Sequence, residues 1–126
     1  MSHVQRKGGV VWAAPQWRLS DHEIDELLAE LEVHLAGATP YVLLFDLTRA
    51  GTPNALQRQK LALHMRNNTS RIRLTVRGVG VILQSSVARG IVTAIFWIAP
   101  PPVPHRLFTT RAEATEWADS LSHSAP

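Results

Sequence analysis

Apolar positions along this chain follow two periods, one near 3.6 residues and one near two, interleaved from end to end. Gly9 to Ala14 (GVVWAA) is β-branched and aromatic, which predicts a strand at a sheet edge that ends or bulges at Pro15, with Trp17 to Leu19 as a continuation. Ser20, Asp21, His22 and Glu23 form a capping box, and Ile24, Leu27, Leu28, Leu31 and Leu35 then recur at three and four residues until Gly37. That spacing predicts an amphipathic helix with its acids outward. Tyr41 to Leu47 (YVLLFDL) is apolar on both faces and too short for a helix, so it reads as a central, buried strand.

Farther on, Thr52 as cap and Pro53 in the first turn open a helix through Leu56, Leu61 and Met65 that frays near Asn67 and Asn68. Arg71 to Arg77 (RIRLTVR) fits either a strand or a helix tail, whereas Val79 to Leu83 reads as a buried strand. Ser86 caps a third helix, Val87 to Ala99, apolar on nearly every side and stopped by Pro100 to Pro102. Such a helix calls for cover by the sheet and the final helix, or else offers a flank to a partner. His105 to Phe108 is a last short strand, and Thr110 with Glu113 caps a final helix whose buried face is Ala114, Trp117, Ala118 and Leu121. Strands alternating with helices predict an α/β fold with a mostly parallel sheet. We expect one domain over residues 1–126, with 1–8 and 122–126 as flexible ends.

Composition narrows the classes. Hydrophobic residues are 45% and charged residues 18% of the 126, a balance for a packed globule. Cys is absent, which removes disulfides, thiolate metal sites and a thiol nucleophile. No stretch has the length of a membrane span or the form of a signal peptide, so a cytoplasmic protein is expected. The net charge is +3, yet Thr48 to Ala112 holds no acid and ten basic residues, Arg49, Arg58, Lys60 and Arg89 among them. Such a block either attracts an anion or is a solvated face offset by the acidic helix beside it.

The runs YVLLFDLTRAGTP, GVGVILQSSVARGIVTAIFWIAPPPVP and HRLFTTRAEATEWA together resemble small bacterial STAS/SpoIIAA-like proteins over Gly9 to Leu121. The resemblance implies a sheet of four to five strands with helices packed mainly on one side. It also implies a regulatory role through protein-protein contact, with ligand binding in some relatives. In anti-sigma factor antagonists of this fold, a Ser in a DSSG-type motif after the central strand is phosphorylated. The matching stretch here, Gly51, Thr52, Pro53 and Asn54, departs from that motif and leaves Thr52 as its hydroxyl.

Candidate chemistry is sparse. The ends of the Tyr41 and Val79 strands lead into helices starting near Thr52 and Ser86, so two helix N-termini with Arg49, Gly51, Asn54, Ser85 and Arg89 form a candidate anion or regulatory site. Asp46 is a carboxylate inside an apolar strand and requires a partner. None of His3, His22, His34, His64, His105 and His123 shows ligand spacing, so neither metal nor cofactor is expected. Ser85 and Ser86 lack the setting of a nucleophile elbow, which argues against a hydrolase. Ile91, Ile95 and Trp97 mark a possible homodimer or partner interface. The leading expectation is a non-catalytic regulatory module with a protein partner. The alternative is a binder of a small anionic ligand or lipid head group; specific nucleic-acid binding, without a stacking platform, ranks last.

Overall fold

A computed structural model describes residues 3–15, 20–37, 39–51 and 53–123, Ser122 and His123 by backbone alone. Five strands form one sheet in the order β1 (Val4–Lys7), β2 (Val10–Ala13), β3 (Tyr41–Asp46), β4 (Val76–Ile82), β5 (His105–Phe108). β1 and β2 are antiparallel; the other three pairings are parallel. Among the described residues, five helices complete the α/β fold: α1 (Asp21–Ala36), α2 (Ala55–Asn67), α3 (Thr69–Thr75), α4 (Ser86–Ile98) and α5 (Arg111–His123).

β3 is the central strand, as its two-sided apolar run requires. Val42 and Leu44 face one side, joining Ile82, Phe108, Ala114 and Ala118 beneath α5. Tyr41 faces the other, with Val79, Val81 and Leu83 against Leu27, Leu31 and Leu35 of α1. Four helices therefore share one face and α5 has the other. α5 comes close because β4 carries Gly78 and Gly80 on that side. A Cβ on Gly78 would lie 2.9 Å from Trp117 Cη2, and one on Gly80 2.7 Å from Leu44 Cδ2.

The helix starts differ from expectation in two places. α2 begins at Ala55, where Asn54 accepts from Gln57 N and Gln57 accepts from Asn54 N, a reciprocal box. An Asx cap and a Gln three residues on satisfy two otherwise free amides at once, so Pro53 precedes the helix; the cap expected at Thr52 lies outside the described residues. α4 is capped by Ser85, whose hydroxyl accepts from Ala88 N at 3.1 Å, and Ser86 is its first helical residue. Ser20 and Glu23 form the expected box at α1. The ambiguous Arg71 to Arg77 stretch divides, helical to Thr75 and strand from Val76.

Three further expectations are corrected. Val4 to Lys7, placed in a flexible end, is instead strand β1; the Gly8-Gly9 turn, with Gly8 at φ 61°, folds it back onto β2. A two-residue Gly-rich turn suits hairpins, and the pairing satisfies the backbone edge that β2 would otherwise expose. β2 is therefore interior, not an edge strand, and its proposed continuation over Trp17 to Leu19 lies outside the described residues. Likewise α5 does not cover α4, because it packs on the opposite face. Only Val92 of α4 is buried, and Trp97 is 84% exposed.

The basic block is in part offset by its acidic neighbour. Lys60 pairs with Asp25, and Arg71 with Glu32 at 2.6 Å, which ties α2 and α3 to α1.

Candidate functional site

Among the described residues, a cavity lies on each face of the sheet. On the four-helix side, the sheet surface and α1, α2 and α4 line a partly open apolar cavity of about 190 Å3. Leu43, Phe45, Val81 and Leu83 form its floor; Leu28, Leu61, Met65, Ile91 and Ile95 form its walls. The floor exists because β3 and β4 present β-branched and aliphatic side chains at every second position. The roof is loose because α4 and α2 are short of buried residues, with Val92 alone on one and Gln57 and Ala62 on the other.

Among the described residues, only Tyr41 and His64 bring ionisable side chains to this cavity. Burial pushes the Tyr41 hydroxyl above its ordinary value, against the opposing pull of Arg6. Burial likewise holds the His64 imidazole below its ordinary value, with Glu32 working against the shift and Arg71 adding to it. Both groups are therefore neutral donors or acceptors at neutral pH. A His whose folded pKa is depressed contributes stability above its unfolded value, and that stability is lost as pH falls through the folded value. Thermal unfolding should show a midpoint that drops as pH falls below the ordinary histidine value of about 6.5, less steeply in His64→Leu. An identical slope in both proteins would remove His64 from the account.

On the α5 side, an open polar crevice of about 470 Å3 lies at the ends of the strands. Its wall is Asp46, which accepts from Thr48 Oγ1 at 2.6 Å, Thr48 N at 3.1 Å and Arg111 Nε at 2.6 Å. Burial raises the Asp46 carboxyl, but the hydrogen bonds from Thr48 and Arg111 outweigh it and leave the group below its ordinary value. The partner that a carboxylate in an apolar strand requires is thus Arg111, 65 positions away. That separation is why spacing in the chain does not reveal it.

The residues predicted to form one anion site are divided between these places. Gly51 lines the apolar cavity and Arg49 the polar crevice. Asn54 and Ser85 serve as helix caps, Ser86 is exposed, and Arg89 is half-buried in the first turn of α4. Thr52 lies outside the described residues. Ile91 and Ile95 turn toward the apolar cavity, while Trp97 points outward. Sequence reasoning missed the role of Arg111, Gln84 and Thr109, which gather only once the sheet aligns its strand ends. Among the described residues, no three His, Asp or Glu side chains gather as a metal site, and no helix is long and apolar enough to cross a membrane.

No protein-family model matches the sequence, and no curated protein matches it. Among solved structures, the fold is similar to that of an uncharacterized protein of the DUF3478 family from Shewanella loihica PV-4, which has a SpoIIAA-like fold. The TM-score is 0.62 at 20% identity, over 91% of this chain and 90% of the other. At that identity the likeness speaks for the fold: a SpoIIAA-like α/β arrangement, as the three sequence runs suggested.

Proposed function

We propose that this chain is a non-catalytic binding module that takes an apolar small molecule between its sheet and helices α1, α2 and α4. The observation that carries this reading is the apolar cavity of about 190 Å3. Apolar walls that face a gap lack the dispersion contacts that a packed core supplies. An apolar occupant supplies those contacts and takes the walls out of water. Cavities of about 150 Å3 lined by Leu, Ile and Phe take up benzene or xenon. Tyr41 and His64 suit a ligand with an apolar body and one neutral polar group. Calorimetric titration with indole is expected to show saturable, one-to-one binding with a negative heat-capacity change. Absence of heat and of any thermal shift at millimolar indole would sink the reading.

A second reading, regulation through a protein partner or a second copy, is favoured by the outer flank of α4. Val87, Trp97 and Ile98 are 69%, 84% and 63% exposed, and large contiguous apolar patches on a monomer mark interaction sites. If a second copy docks there, light scattering should give a dimer that Trp97→Asp returns to monomer. A wild-type monomer at every concentration would remove the second copy as the partner.

A further inference from the structure

The crevice on the α5 face lies where four parallel strands end together. Its lining comes from Ala14 and Pro15 after β2, Asp46, Thr48 and Arg49 at the end of β3, Ile82 and Gln84 at the end of β4 and Thr109 to Arg111 after β5. In parallel α/β sheets, ligands bind in the crevice outside the carboxyl ends of the strands. The volume of about 470 Å3 falls in the range of small-molecule sites, about 300–1,000 Å3.

The charges say what kind of ligand. Among the described residues, three charged side chains line the crevice: Arg49, Arg111 and Asp46. Asp46 is already paired with Arg111 and hydrogen-bonded by Thr48. Arg49, exposed on the rim, makes no hydrogen bond or ion pair with the described residues. Arg111 is held from two directions, by Asp46 on Nε and by the Trp12 ring, 4.5 Å from its guanidinium carbon. A guanidinium has five N–H donors, and fixing it through Nε and a ring face leaves its terminal amines oriented for a planar or tetrahedral oxyanion. Glu113, the nearest other carboxylate on α5, is outside the lining and accepts from the Thr109 and Thr110 hydroxyls. Among the described residues, the lining thus keeps a positive excess of one.

We infer that this crevice binds a small molecule through an oxyanion, a carboxylate or a phosphate, held between Arg49 and Arg111. This site is on the opposite face from the apolar cavity and stands whether or not that cavity takes a ligand.

The test is a nitrogen–proton NMR titration at constant ionic strength with inorganic phosphate in one arm and citrate in the other. Saturable shifts are expected at Thr48, Arg49, Gln84 and Thr109 to Arg111, weakened at least about fivefold in Arg49→Gln, a loss typical of one charge-assisted contact. Arg73→Gln, which removes an exposed charge on α3, should leave them unchanged. Response to phosphate alone assigns a phosphate ester, to citrate alone a carboxylate. The inference is overturned if neither ion gives saturable shifts, or if Arg73→Gln weakens binding as much as Arg49→Gln, which is the mark of general charge attraction.

Discussion

Ala88→Phe is expected to raise the unfolding midpoint by several degrees and to abolish indole binding. Ala88 is half-buried in the first turn of α4 and lines the apolar cavity. Its backbone amide is already committed to Ser85 Oγ, so the exchange alters the side chain and leaves the cap in place. A phenyl group there would bury itself against apolar walls, where full burial of a Phe side chain is worth about 1.5–3 kcal/mol. Recovering even a part of this, about 1–2 kcal/mol, raises the midpoint by several degrees in a domain of this size. The two readouts must move together, since the same atoms supply the contacts and block the site. A variant that loses stability and still binds indole would show that the cavity is neither where nor what this account holds.

Gly80→Ala should cost about 1–3 kcal/mol, although alanine is no worse than glycine in an ordinary strand. The new methyl would lie 2.7 Å from Leu44 Cδ2 and 3.1 Å from Phe108 Cε2, inside the layer where α5 rests on the sheet. Leu44→Ala alone, at a residue with no exposed surface, should cost about 2–5 kcal/mol through the cavity it leaves. The double variant is expected to be more stable than the sum of the two predicts, because the smaller side chain makes room for the methyl. Chemical denaturation of the four proteins measures this. Strict additivity would mean that the new methyl does not meet the Leu44 side chain.

Much of this layer was legible in the chain. The continuous apolar run Tyr41 to Leu47 placed β3 in the middle, and Ala114, Trp117, Ala118 and Leu121 marked the face of α5 that packs down. What periodicity does not carry is the side of the sheet on which a helix lies. α4 is apolar enough to suggest full cover, yet α5 crosses to the other face, so Trp97 and Ile98 remain outside. Nor did the polar run Val4 to Lys7 look like a strand, since only Val4 is buried; the Gly8-Gly9 pair was the available signal. Asp46 was recognisable as a carboxylate in need of a partner, whereas Arg111 was not recognisable as that partner, because their meeting depends on the parallel alignment of β3, β4 and β5. Both cavities are products of that alignment, and the predicted site residues fall on either side of it for the same reason.

Nuclear Overhauser contacts between indole and methyl-labelled protein go directly to the main claim. Cross-peaks to Leu43, Val81, Leu83, Val92 and Ile95, on the covered side of the sheet, are the result to expect. Contacts confined to Val87 and Ile98 on the outer flank of α4, or none at all, would contradict it.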